Sequence, residues 1–97
     1  MKIPLNSFTN KATLVKTNAN YDVYDLVMEN LVVSLTVLHY DKSTTGHSHN
    51  DSDEIYLFLK GEGEVNLDGK TEDIADRDLV IIPRGTFHRV FNKGKSD

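Results

Sequence analysis

Four histidines and one glutamate hold the positions in this sequence that could carry chemistry. His47 and His49 are separated by one residue, so on an extended strand both imidazoles point to one face, roughly 7 Å apart along the backbone. Glu54 follows the turn-forming segment 50–53, which could fold the chain back and bring the carboxylate beside the two rings. Two imidazoles and a carboxylate can bind a divalent metal ion, although an H-x-H pair alone is more often a pair of surface histidines.

A further histidine lies much later in the chain. His88 follows Pro83-Arg84-Gly85-Thr86, where proline fixes φ and glycine lets the backbone turn tightly before a strand. If His88 joins the first three groups, three imidazoles and one carboxylate leave coordination positions open for water or a substrate. The chain has no cysteine, which excludes thiolate zinc sites, cysteine nucleophiles and disulfide scaffolds.

The composition is that of an ordinary globular chain. Its 97 residues predict a single domain over residues 1–97, and the small core that such a chain can bury favours a homodimer. Fifteen acidic against eleven basic residues give a net charge of −4, which argues against a nucleic-acid partner. No apolar run is long enough for a membrane helix and the first residues lack an apolar signal region, so we expect a cytoplasmic protein.

The sequence predicts short strands, separated by turns, as the elements that position these residues. Residues 31–40 alternate, with Leu31, Val33, Leu35 and Val37 on one face, as expected for a half-buried strand. Asp68-Gly69 predicts a tight hairpin between two strands. Residues 1–20 are the least informative part of the sequence and are expected to be irregular chain with at most one strand. The predicted strands are 21–28, 31–40, 55–60, 64–67, 70–74, 79–82 (buried) and 87–91, a pattern typical of an all-β sandwich or barrel.

Two ordered motifs resemble those of the cupin superfamily. Gly46-His47-Ser48-His49, four residues, Glu54, six residues and Gly61 resembles its first motif. Pro83-Arg84-Gly85, two residues, His88, three residues and Asn92 resembles its second, and the fifteen residues between Gly61 and Arg77 resemble the short spacer of small microbial cupins. The resemblance covers residues 41–92, more than half of the chain. It implies a small antiparallel β-barrel, the double-stranded β-helix or jelly roll.

The resemblance also implies a ligand set. His47, His49, Glu54 and His88 match the four metal ligands of the family, and the ion could be Mn, Fe, Ni, Zn or Cu. Two positions depart from the motifs, since Asp41 and Arg77 stand where glycine is usual; both are turn positions. The sequence ends five residues after Asn92, so we expect the usual last strand either to be missing or to be replaced by an N-terminal or partner strand.

Two further residues are candidates for catalysis. If Glu54 faces the barrel interior, Tyr56 lies on the same side, where it could donate a proton or a hydrogen bond to a substrate oxygen, or simply form the pocket wall. His39 shares a strand face with Leu35 and Val37 and could act as an acid or base; the alternative is a histidine of the core or rim.

These features favour a small metal-binding cupin that acts on a small polar oxygenated metabolite, such as a sugar, a sugar phosphate or a keto-acid. A divalent cation with free positions supports isomerisation or ring opening by polarising a carbonyl, and with iron the same ligands could activate dioxygen. Because family members also serve as non-catalytic sugar or metabolite sensors, a binding module is the alternative.

Overall fold

The computed structural model describes all 97 residues, and eight strands make up most of its regular structure. A 3₁₀ turn at Leu5–Ser7 and one short helix, α1 (Phe8–Lys11), precede the strands. The strands are β1 (Thr13–Thr17), β2 (Tyr21–Val27), β3 (Val32–Leu38), β4 (Glu54–Leu57), β5 (Gly63–Leu67), β6 (Lys70–Ile74), β7 (Leu79–Ile82) and β8 (His88–Asn92). No helix has the length and apolar character needed to cross a bilayer.

All strand pairs are antiparallel and fall into three groups: β1-β2-β3, β4-β7 and β6-β5-β8. Isolated bridges from Ser43 to Phe91 and from His47 to His88 join the irregular segment before β4 to β8. The all-β prediction is therefore confirmed. Residues 1–20, expected to be irregular chain with at most one strand, contain β1 and also a 3₁₀ turn and α1, which were not predicted.

The hairpin between β5 and β6 has the predicted tight turn. Asp68 and Gly69 both adopt a left-handed backbone, with φ of 50° and 89°, and Leu67 pairs with Lys70 across them. Positive φ at both central residues is the geometry that matches the right-handed twist of the two strands. The Asp-Gly signal in the sequence therefore fixes both the position and the register of this hairpin.

The hydrophobic core is small and lies between the β4-β7 pair and the β6-β5-β8 sheet. Its buried members come from β5, β6, β7 and β8, and Tyr56 and Phe58 pack against it from the β4 segment. The cluster consists of Val65, Ile74, Val80, Ile82 and Val90. The strands that carry Glu54 and His88 are therefore the strands anchored by this core.

Two predictions about burial are wrong in part. The strand at 79–82 has the predicted bounds, but only Val80 and Ile82 are buried, because strand residues alternate between faces and one face of β4-β7 is uncovered. Similarly, β3 begins at Val32, and Leu31 and Val33 are exposed although they belong to the predicted apolar face. Leu35 and Val37 on that face are partly buried.

Candidate metal centre

His47 and His88 meet across a two-hydrogen-bond backbone bridge. The His47 amide donates to the His88 carbonyl at 3.2 Å, and the His88 amide donates to the His47 carbonyl at 2.9 Å. Directly opposed residues of an antiparallel pair project to the same side, so the two rings come together. Their centroids are 4.3 Å apart, and their Nε2 atoms are 3.0 Å apart.

The other nitrogen of each ring contacts a backbone carbonyl. Nδ1 of His47 lies 3.2 Å from the Thr45 oxygen, and Nδ1 of His88 lies 3.0 Å from the Thr86 oxygen. Because a carbonyl oxygen only accepts hydrogen bonds, we assign the proton of each neutral ring to Nδ1. Both Nε2 atoms then present lone pairs toward each other, an arrangement that a shared cation relieves.

His49 and Glu54 complete the cluster from the other side. One carboxylate oxygen of Glu54 lies 2.7 Å from Nε2 of His49, and the second lies 3.8 Å from Nε2 of His88. Glu54 is the first residue of β4 and pairs with Ile82 of β7, while the carbonyl of His49 accepts the amide proton of Gly85. The turn between β7 and β8 is thus tied to the loop that carries His49.

The four groups fit a single divalent ion. One potential ligand atom from each of His47, His49, Glu54 and His88 lies within 4.8 Å of all the others. Ligands at about 2.1 Å from a common ion lie about 3.0 to 4.2 Å apart, so shifts of roughly half an ångström would bring all four into coordination. His88 is 2% exposed whereas His47 and His49 are both exposed, so the cluster opens to solvent on the side of these two histidines.

Tyr56 borders this cluster, as its position two residues after Glu54 predicts. Its ring centroid lies 5.5 Å from that of His88 and 6.2 Å from that of Phe58. Burial, together with the negative charge of Glu54, raises the pKa of Tyr56 to about 12. The phenol is therefore protonated at neutral pH and can donate a hydrogen bond.

His39, the other catalytic candidate, is not one of the four converging side chains. Its Nδ1 lies 3.1 Å from a carboxylate oxygen of Asp97, and its Nε2 lies 3.6 Å from a carboxylate oxygen of Asp22. Both ring nitrogens thus face acidic groups outside the cluster. The structure thus places His39, just after β3, between the carboxylates of Asp22 and Asp97.

The groups that orient the two rings were not predicted from the sequence. Thr45 and Thr86 act through their backbone carbonyls, which every residue type has, so the residue type does not reveal the contact. Each threonine, however, stands two residues before the histidine that it contacts. This repeated Thr-x-His spacing is the signal that could have revealed them. Gly46 was also overlooked as a packing residue: a Cβ there would lie 2.1 Å from the ring of Phe87, which occupies the space that the glycine leaves.

Comparison with known families decides the classification. A family model described as "Cupin domain" matches residues 34–97, about two thirds of the chain. The chain belongs to the cupin family. The matched region includes both histidine motifs, so the resemblance on which the ligand set was based is confirmed at the level of the family.

Individual relatives agree with this classification. An uncharacterized protein of Methanocaldococcus jannaschii is 27% identical over 86 residues, covering 89% of this cupin and 67% of that protein. An uncharacterized Bacillus subtilis protein is 41% identical over 44 residues, covering 44% of this chain and 39% of that one. The chain thus spans from about two fifths to two thirds of the length of these curated relatives.

The fold itself matches solved structures. The crystal structure of a predicted oxalate decarboxylase from Thermotoga maritima superposes with a TM-score of 0.82 at 20% identity, covering 99% of this chain and 90% of that one. With so low a sequence identity, the structural agreement establishes the architecture alone, which is the cupin jelly roll. The predicted fold class is therefore confirmed.

Proposed function

We propose that this cupin binds one divalent metal ion through His47, His49, Glu54 and His88 and uses it to convert a small polar oxygenated molecule. The observation that carries the proposal is the opposed pair of Nε2 atoms of His47 and His88, 3.0 Å apart, with both Nδ1 atoms already engaged by carbonyls. A cation shared by the two Nε2 atoms would satisfy both lone pairs, and a glutamate oxygen and a third imidazole lie within its reach.

The reaction we infer is isomerisation or ring opening of a hydroxy-carbonyl compound, such as a sugar, a sugar phosphate or a keto-acid. A bound divalent cation supplies Lewis-acid polarisation of the carbonyl. His49, exposed at the mouth of the cluster, leaves room on that side for a substrate. Tyr56, on the strand face of Glu54, would donate a hydrogen bond to a substrate oxygen.

Metal content and turnover test the proposal together. We would purify the chain without a histidine tag and measure its metals by elemental analysis, alongside His47→Ala and the matched control His39→Ala. The expected result is about one ion per chain in the wild type and in His39→Ala, with loss in His47→Ala. A wild type that neither retains nor takes up a divalent ion, and whose melting temperature no divalent ion raises, would overturn the proposal.

Turnover separates the enzyme from the binding module. A panel of sugars, sugar phosphates and keto-acids would be incubated with the metal-loaded protein and followed by NMR. Conversion that disappears in His47→Ala supports the proposed reaction. Ligand binding without conversion would contradict catalysis and assign the chain a binding role, and conversion that requires both iron and dioxygen would replace isomerisation with oxygenation.

A further inference from the structure

The turn between β7 and β8 is bound by the loop that carries His49. The amide of Arg84 donates to a carboxylate oxygen of Asp53 at 2.9 Å, and the amide of Gly85 donates to the carbonyl of His49. The next amide, that of Thr86, closes the turn on itself by donating to the carbonyl of its first residue at 3.1 Å. Two of three consecutive amides of this turn are therefore held by a segment from the other histidine motif.

The same turn orients a metal ligand. Nδ1 of His88 lies 3.0 Å from the carbonyl oxygen of Thr86, the last residue of the turn. The direction of that carbonyl depends on the turn conformation, which has a φ of 82° at Gly85, as at the third position of a type II turn. A displacement of the turn would therefore displace the acceptor that fixes the His88 ring.

His49 is the ligand with the weakest support from regular structure. His47 pairs with His88 through two backbone hydrogen bonds, and Glu54 lies in β4, whereas His49 lies in an irregular segment. Its side chain is 46% exposed, so packing contributes little to its position. The hydrogen bonds between this segment and the turn are therefore the contacts that determine where the imidazole lies.

We propose that Asp53 is a positioning residue of the metal centre, whose carboxylate joins the loop of His49 to the turn before His88 and so keeps the exposed imidazole at the ion. Asp53 precedes the ligand Glu54 but is not one of the four converging residues, and one of its oxygens is occupied by the amide of Arg84. A hydrogen bond from an amide to an ionised carboxylate is stronger than one between neutral groups. This inference rests on the proposed metal binding.

The competing explanation for an acidic residue at this place is its charge, since any carboxylate near a cation attracts it. The loop offers a matched comparison. Asp51 carries the same charge two residues earlier, is exposed, and binds none of the three amides of the turn. If charge is what matters, the two aspartates are equivalent. If the hydrogen bond is what matters, only Asp53 contributes, and an asparagine in its place suffices because its amide oxygen also accepts a hydrogen bond.

Calorimetric titration of the metal-free protein with cobalt(II) compares three variants with the wild type. Asp53→Ala removes the hydrogen-bond acceptor and should raise the Kd for cobalt about 10-fold or more, the usual effect of losing a group that holds a metal ligand in place. Asp53→Asn and Asp51→Ala each remove one negative charge and keep an acceptor at position 53, so both should stay within about threefold of the wild type. Wild-type affinity in Asp53→Ala, or an equal loss in all three variants, would overturn the proposal.

The visible absorption of bound cobalt distinguishes a displaced His49 from a general loss of affinity, because the spectrum depends on the number and geometry of the ligands. At saturating cobalt, the spectrum of Asp53→Ala should approach that of His49→Ala, since the released loop lets the imidazole leave the ion. The spectrum of Asp53→Asn should match that of the wild type. A wild-type spectrum for saturated Asp53→Ala would contradict the positioning role, even with a weakened affinity.

Amide hydrogen exchange of the metal-free protein tests the contact without any ion. In Asp53→Ala the amide of Arg84 loses its acceptor and the loop that binds Gly85 is released, so both amides should exchange about 10-fold faster than in the wild type. The amide of Arg77, bonded to the carbonyl of Phe58 at the opposite end of the β4-β7 pair, should be unchanged and reports that the variant is folded. A wild type that binds no cobalt would overturn the proposed function, whereas unchanged exchange at Gly85 in Asp53→Ala would overturn the positioning role alone.

Discussion

The imidazoles of His47 and His88 face each other with Nε2 atoms 3.0 Å apart, although the two residues are 41 positions apart in the chain. The backbone bridge sets the separation, and the carbonyls of Thr45 and Thr86 set the orientation of the rings. Neither ring can rotate to move its Nε2 away without losing its carbonyl partner. The two Nε2 atoms are thus held at a fixed separation on the side where Glu54 and His49 also lie.

Two histidine substitutions should distinguish an effect on metal binding alone from an effect on both metal binding and stability. His49→Ala removes an exposed ring, so we expect a metal affinity about 100-fold lower or worse and an almost unchanged stability of the metal-free protein. His88→Ala empties a buried position and should in addition lower the free energy of unfolding by about 2 kcal/mol. Calorimetric metal titration and urea denaturation after chelation measure the two effects. Wild-type affinity in His49→Ala would remove that residue from the ligand set.

Sequence alone predicts much of this architecture, because much of it is local. The bounds of β6 and β7 agree with prediction, and the Asp68-Gly69 turn needs no tertiary contact to be recognised. The convergence of His88 with His47 is not local, and it was predictable only through the cupin motifs. The exposure of Leu79 and Ile81 was not predictable, since a continuous apolar run does not reveal how many of its faces the same chain covers.

Asp41 and Arg77 show what the departures from the cupin motifs mean for the backbone. Both stand where the family has glycine, and both adopt a left-handed backbone, with φ of 59° and 69°. The turn is therefore preserved without the residue that adopts it most easily. Aspartate tolerates this region better than arginine does, so the strain is expected to be larger at Arg77.

Relief of this strain in Arg77→Gly should raise the free energy of unfolding by about 1 kcal/mol. The greater freedom of glycine in the unfolded chain should offset part of this gain. The amide of residue 77 donates to the carbonyl of Phe58 at 2.6 Å, and the substitution keeps this hydrogen bond. Urea denaturation of the metal-free protein would measure the gain. Gly85→Ala, the reverse change at a φ of 82°, is the matched control and should destabilise. A less stable Arg77→Gly variant would contradict this account of the turn.

Tyr56 should make the metal-free protein sensitive to alkali. Its pKa in the folded state is raised from 10.0 to about 12, mainly by burial, so the phenol ionises more readily in the unfolded chain. The stability contributed by the neutral phenol is complete below pH 10 and is lost as the pH rises toward 12. We expect the free energy of unfolding, measured by urea denaturation, to fall less between pH 8 and pH 11 for Tyr56→Phe than for wild type. Tyr40→Phe, at an exposed tyrosine, should behave like wild type.

Asp97 should titrate below its usual range. Its carboxylate accepts the amide proton of Tyr40 at 2.7 Å and contacts His39, and these two interactions, the first being the larger, lower its pKa from 3.8. Because the folded-state pKa is depressed, the stabilisation from these two contacts is complete above pH 3.8 and is lost as the pH falls below that value. The amide shift of Tyr40 in an NMR titration should have its midpoint below 3.8, and Asp97→Asn should abolish the transition. A midpoint at or above 3.8 would contradict the assigned contacts.

Gly63 should tolerate no side chain, because its neighbour is backbone rather than side chain. A Cβ at this position would lie 2.1 Å from the carbonyl oxygen of Phe91, where β5 pairs with the strand that carries His88. A Cβ at Gly46 would come equally close to the ring of Phe87, but that side chain is partly exposed and can rotate away. Gly63→Ala should therefore lower the free energy of unfolding by about 3 kcal/mol, and Gly46→Ala by less than about half of that. Denaturation of both metal-free variants measures the difference, and equal losses would mean that Phe87 is held as firmly as the backbone of β8.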